Sequence, residues 1–143
     1  MLVTVMACRM FKFVKEMYVV EASSFMDAER SIREEMDFQG IQIVIPAMQR
    51  AQFAEVCFNS DAEAYNFYRV RVVTEYDDET GRMKKKNIFH LVQAPDIDTA
   101  RTIVTQEVYK DYPIEYEIAD IVKTQVLDIL EEGKHVSCPL LKG

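Results

Sequence analysis

The sequence predicts an α+β fold: a β-β-α-β unit in tandem repeat, forming a pseudo-two-fold, mostly antiparallel sheet with two helices. Three observations predict it. Displacing the chain so that Tyr18 meets His90 sets Tyr18-Val-Val-Glu-Ala22 on His90-Leu-Val-Gln-Ala94, and Phe25, Ala28, Ile32 and Met36 on Ile97, Ala100, Val104 and Val108. One residue of slip later, Ile41, Ile45, Gln52, Phe53 and Val56 meet Ile114, Ile118, Gln125, Val126 and Ile129, so apolar sites match apolar sites in the same order. Last, the chain has 143 residues, a single-domain length whose halves are each near the size at which a lone core is marginal. One domain over 1–143 is expected, with repeat one over about 1–58, a link at 59–64, repeat two over 65–130 and a tail at 131–143, the copies sharing one core.

Each element has a local cause. Met1 to Cys8 is a strand: no basic region precedes it, and Arg9 and Lys12 follow, which argues against a signal peptide. Before Ala22 the chain has room only for a tighter hairpin or one whose opening strand is shortened. Ser24 caps a helix with the stripe Phe25, Ala28, Ile32 and Met36, which exits near Gly40. Ile41, Ile43 and Ile45 form the next strand. There the apolar phase shifts to Met48, as it shifts from Ile118 to Ile121 in the second copy, so a β-bulge is expected at both places, Pro46 marking the first. The strands then run on toward Phe53 and Val126, ending in short turns at Val56 and Ile129.

The second copy carries cleaner signals. Phe67 to Tyr76 alternates and is rich in Val, Tyr and Phe, and Asp77-Asp-Glu-Thr-Gly81 is a polar turn in which Gly81 is free to take positive φ. Met83 to Ala94 returns as the antiparallel partner. Asp96 caps a helix with the stripe Ile97, Ala100, Val104 and Val108, ending near Tyr109 before Pro113. Ile114, Tyr116 and Ile118 then alternate with Glu115 and Glu117, a strand with one wet face.

Composition narrows the function classes. The apolar fraction is 49%, with four glycines and four prolines, which excludes a low-complexity chain. A net charge of −7 argues against a surface built mainly to hold duplex phosphates. Three cysteines, Cys8, Cys57 and Cys138, leave one unpaired in any disulfide scheme, so a reducing cytoplasm is expected. No apolar run approaches the roughly 20 residues of a membrane helix, and no membrane association is expected.

Tyr18-Val-Val-Glu-Ala-Ser-Ser-Phe-Met-Asp-Ala-Glu-Arg30, Arg50-Ala-Gln-Phe-Ala-Glu-Val56, Tyr68-Arg-Val-Arg-Val72, Gly81-Arg-Met-Lys-Lys-Lys86 and His90-Leu-Val-Gln-Ala-Pro-Asp-Ile-Asp-Thr-Ala100 carry a resemblance. The chain resembles a domain-of-unknown-function family of Bacteroidetes-type bacteria and their phages, from about residue 15 to residue 130. The resemblance implies a structural scaffold and carries no activity.

His90 sits mid-strand and reads as a half-buried, hydrogen-bonded histidine. His135 and Cys138 have metal-like spacing but no second pair, whereas a zinc site takes about four ligands. Asp77, Asp78 and Glu79 lack the spaced oxygens of a calcium loop and read as a solvated turn. Glu115 and Glu117 share an exposed face, where nothing raises a carboxyl pKa for acid-base work. No nucleophile elbow, phosphate loop or dinucleotide fingerprint occurs. No catalytic residue, metal or cofactor is therefore assigned, and an enzyme is not expected.

The expected function is a binding or structural module acting through self-association or a protein partner, with a phage-related setting implied by the resemblance. Acidic helix residues Glu29, Glu34, Glu35 and Asp37, sheet edges and eight methionines suit such contacts. The alternative is single-stranded nucleic acid. If Tyr76 pairs with Met83, one hairpin face gathers Phe67, Arg69, Arg71, Lys84, Lys86, Ile88 and His90, cations beside an aromatic. A one-residue slip in register would dissolve that face.

Overall fold

Alternation over Leu2–Arg9 puts Val3, Val5 and Ala7 on one face of the first strand, and all three are buried in the computed structural model, which describes residues 1–11, 14–59, 66–113, 115–131 and 134–135. In chain order the elements are β1 (Leu2–Arg9), β2 (Lys15–Glu21), α1 (Phe25–Phe38), β3 (Ile43–Arg50), β4 (Glu55–Cys57), β5 (Asn66–Asp77), β6 (Met83–Ala94), α2 (Ile97–Ile103) running into a π-helical turn over Val104–Val108, β7 (Tyr116–Lys123), β8 (Val126–Glu131) and β9 (Lys134–His135). Among the described residues the fold is α+β, with two helices and two mostly antiparallel sheets where a single sheet was expected. Residues 1–52 with 125–143 form one compact unit and 53–124 the other. The link at 60–64 lies outside the described residues, as does the tail apart from Glu131 and β9.

Unit 1 has the strand order β3-β1-β2-β8-β9. β1 pairs antiparallel with β2, Val5 opposite Tyr18, and with β3 on its other side. The register with β3 jumps from Met6↔Ala47 to Cys8↔Val44, so Ile45 and Pro46 face the single residue Ala7 in the expected bulge. Pro46 has no amide to donate there. Ala28, Ile32 and Met36 of α1 pack on Val3, Val5, Ala7, Tyr18, Val20 and Leu130. Ser24 caps the helix, its hydroxyl accepting from the Asp27 amide at 3.1 Å, and Gly40 leaves it at φ +73°. Fully burying a side chain such as Ile32 stabilises the unit by about 1.5–3 kcal/mol.

Unit 2 has the order β4-β6-β5-β7. β5 and β6 pair along their whole length, and β7 lies antiparallel on the far side of β5 with its own bulge at Ala119, between Arg71↔Asp120 and Val72↔Ile118. Ala100, Val104 and Tyr109 pack on Tyr68, Val70, Val72, Val92 and Ala94, giving this unit a core cluster of its own. Asp96 is the cap, its carboxylate accepting from the Thr99 amide at 2.7 Å.

Two expectations change. Val56 and Ile129 lie in strands rather than turns: β4 runs parallel to β6 with Val56 opposite Leu91, and β8 runs parallel to β2 with Ile129 opposite Val19. Backbone pairing holds these short strands, and three residues of β4 are too few for an alternating pattern to show. Phe25 and Ile97, expected to head their stripes, are 44% and 45% exposed. Each opens its helix, and because Cα–Cβ bonds tilt toward the helix N-terminus the side chain overhangs the start.

Candidate functional site

The β5–β6 hairpin closes one residue later than expected. Asp77, not Tyr76, faces Met83. The cause is Asp78: its carboxylate accepts from the amides of Thr80 (2.8 Å) and Arg82 (2.9 Å) and from the Thr80 hydroxyl (2.7 Å), while Gly81 takes φ +78°. Those bonds hold the Asp78 carboxyl below its usual value, the Thr80 hydroxyl contributing most.

This register splits the expected nucleic-acid face. Tyr68↔Val92, Val70↔His90, Val72↔Ile88, Thr74↔Lys86 and Tyr76↔Lys84 point to the helix side, whereas Phe67, Arg69 and Arg71 point to the other. Phe67, Arg69 and Arg71 therefore never meet Lys84, Lys86, Ile88 and His90 on one surface. Phe67 is 1% exposed. The arginines have partners: Arg69 lies over the Phe89 ring at 5.4 Å, and Arg71 pairs with Asp120 at 2.7 Å and donates to Asn87. Lys84 faces Asp78 at 3.5 Å, and no ion pair is found for Lys86 among the described residues.

His90 is buried, and its Nε2 shares a hydrogen bond of 2.8 Å with the Tyr109 hydroxyl. Sequence reasoning placed His90 but missed Tyr109, because the stripe assumed α-helical spacing. The π turn inserts one residue, with the Tyr109 amide bonded to the Val104 carbonyl, and so rotates Tyr109 inward. Threonines supply the one available signal: the Thr102 and Thr105 hydroxyls donate to the carbonyls of Asp98 and Arg101, competing with the helical amides. Tyr109 stacks on Tyr116 at 4.5 Å and meets Tyr112 edge-on at 4.9 Å.

Burial decides the protonation states here. It pushes the Tyr109 phenol and the Cys57 thiol up to about 12 each, and holds the His90 imidazole below its ordinary value against the opposing pull of Glu55. At neutral pH the trio is a neutral imidazole, a phenol and a thiol, with no thiolate nucleophile. Nδ1 of His90 finds no hydrogen-bond partner among the described residues. Glu115 and Glu117 are both exposed, as expected.

Beside this cluster an open groove of about 530 Å³ is lined by Thr74, Glu75, Tyr76, Lys86, Ile88 and Tyr112. Unit 1 differs. In β2 Tyr18 stands opposite Val5, as His90 stands opposite Val70, and its hydroxyl donates to Glu16 at 3.3 Å while Glu16 also holds Arg9. Its exposed apolar residues include Met10 at 43%, Phe11 at 85% and Phe38 at 89%, beside Met26 at 78% at the start of α1 and Leu127 at 51% in β8. The Met10 amide donates to the Gln42 carbonyl, which ties the end of β1 to the segment following Phe38 and Gly40. A groove of about 300 Å³ opens there between Arg9, Met10, Phe11, Gly40, Ile41 and Gln42. Phe11 takes φ +76°, an uncommon conformation for a bulky side chain.

Among the described residues no group of three or more His, Cys, Asp or Glu side chains is placed to hold a metal ion, and the side chains of His135 and Cys138 lie outside them. Among the described residues no helix is long and apolar enough to cross a membrane. A model of the domain of unknown function DUF4494 matches residues 4–132. The chain belongs to that family. No curated protein and no solved structure matches it. The segments quoted above all fall within the matched span.

Proposed function

We propose that this DUF4494 chain is a non-enzymatic binding module that takes a protein partner on the exposed end of unit 1. One observation carries the reading: Phe11 and Phe38, 85% and 89% exposed, on segments tied by the Met10–Gln42 hydrogen bond. Large aromatics left open in this way are the anchors of protein interfaces. The surroundings select the partner. Glu34 and Asp37 are exposed just before Phe38, the last turn of α1 holds no basic residue, and a helix C-terminus carries partial negative charge. With a net charge of −7, a second copy brings like charge to this end, so the partner is a segment with an apolar anchor flanked by Lys or Arg.

Edge pairing supports self-association less well. The outer strands β3 and β7 are bulged, and β4 and β9 are three and two residues long, the devices that blunt an edge.

We also read the chain as an internal duplication in which each copy lends a strand to the other's sheet. Supporting it are the matched strand orders, the bulges at Ile45–Pro46 and Ala119, and the parallel fourth strands β4 and β8. The cytoplasmic setting rests on the free thiols of Cys8 and Cys57, and the bacterial and phage range on the sequence resemblance alone.

Peptide display on the immobilised protein tests the partner reading: the expected selection is an aromatic or aliphatic anchor flanked by Lys or Arg, lost in Phe38→Ser. Light scattering should give the monomer mass of 16.6 kDa at micromolar concentration. Selection of acidic peptides, or a dimer abolished by Phe11→Ser with Phe38→Ser, would overturn it.

A further inference from the structure

We infer that the groove of unit 2 binds a nucleotide, the base stacked between Tyr76 and Tyr112 and the phosphate held by Lys86 and Lys84. This goes beyond the partner reading and uses none of its residues. The register sets Thr74, Tyr76, Lys84, Lys86 and Ile88 on one side of the hairpin, and Tyr112 closes the groove from the chain following the π turn. Ile88 and Thr74 form part of the lining between the rings.

Both rings are built for a planar ligand. Tyr76 and Tyr112 are 45% and 37% exposed, so neither is consumed by packing. Tyr112 is nevertheless fixed, edge-on to Tyr109 at 4.9 Å and to Tyr116 at 6.2 Å, so little freedom is lost when a base stacks on it. The charge fits as well. No ion pair occupies Lys86 among the described residues, and the pair between Lys84 and Asp78 is long, at 3.5 Å, with the lysine side chain 56% exposed, so a phosphate can compete with the carboxylate for it.

Size and charge set the length of the ligand. About 530 Å³ suits one nucleotide, and two lysines on a chain of net charge −7 do not make a track for a long polymer. The recognised chemistry is thus one base with its phosphate, free or within a single strand.

The chain has no tryptophan, so its fluorescence comes from seven tyrosines, and a base stacked on Tyr76 and Tyr112 quenches part of it. Titration with each of the four ribonucleoside monophosphates, with inorganic phosphate as control, is expected to show saturable binding of at least one nucleotide and none of phosphate alone. Lys86→Glu and Tyr76→Ala, both at exposed positions, should each weaken it about tenfold or more with the melting temperature retained. Tyr112→Phe should leave it intact. In parallel, anisotropy of a labelled oligothymidylate distinguishes the sources: affinity well above that of the mononucleotide and steeply salt-dependent assigns the site to a single strand, whereas equal or weaker affinity assigns it to a free nucleotide. No binding of any nucleotide or oligomer at millimolar concentration, or binding unchanged by both Lys86→Glu and Tyr76→Ala, overturns the inference.

Discussion

Tyr18 and His90 stand opposite Val5 and Val70 in the antiparallel β1–β2 and β5–β6 pairs, yet they solve the problem of a buried polar group differently. Tyr18 reaches the half-buried Glu16 within its own strand, two residues away and beside Arg9. His90 reaches across to Tyr109, which only the π turn brings into range. The first arrangement is local and leaves α1 regular. The second fastens the helical segment to the sheet and builds, around Tyr109, the tyrosine cluster that walls the groove. The difference teaches that the alternating strands and helix stripes set the frame, while single polar contacts decide what each unit presents to solvent.

Six substitutions break or sharpen this comparison. Ile32→Ala, in the regular helix, removes the largest buried side chain of its stripe and should cost about 2–5 kcal/mol in denaturant unfolding. Tyr109→Phe should cost about 1–3 kcal/mol by leaving the buried Nε2 of His90 unpaired, against about 0.5–1 kcal/mol for Tyr18→Phe, whose bond is longer and local. Equal costs would erase the distinction between the two units.

The pH dependence should follow the same contrast. Burial keeps the folded His90 pKa below its unfolded value of 6.5, so the unfolded chain binds the proton more readily. The stabilisation is then complete above pH 6.5 and is lost as the pH falls below it. His90→Phe should flatten the fall of the melting temperature below pH 6.5, and Tyr18→Phe should not. Ser24→Ala should cost about 1 kcal/mol as one capping bond disappears, whereas Asp96→Asn, which keeps the capping oxygen, should have the smallest effect and leave amide exchange in α2 nearly unchanged.

Much of the frame was legible in the sequence. Ser24, Asp96, Gly40 and Gly81 announce where helices and turns begin or end, and the phase shifts after Ile45 and Ile118 announce both bulges. The site was legible only in part. Lys84, Lys86 and Ile88 do share a face, but Phe67, Arg69 and Arg71 do not join them, because the bonds of Asp78 set the register and no periodicity encodes them. Tyr109 and Tyr112 were invisible for a related reason: the π turn adds a residue that an α-helical stripe cannot anticipate. Likewise β4 and β8 owe their places to backbone pairing with distant strands.

Photocrosslinking in the host cell compares the two units most directly. With a photoreactive phenylalanine at Phe38 of unit 1, and in a separate protein at Ile97 of unit 2, both exposed and at helix ends, the account predicts a heterologous adduct from position 38 alone. The crosslinked peptide should carry Lys or Arg beside an apolar anchor, and Phe11→Ser should abolish the adduct. Equal adducts from both positions, an adduct only to a second copy of this chain, or none from position 38 would contradict the claim that unit 1 presents the partner surface.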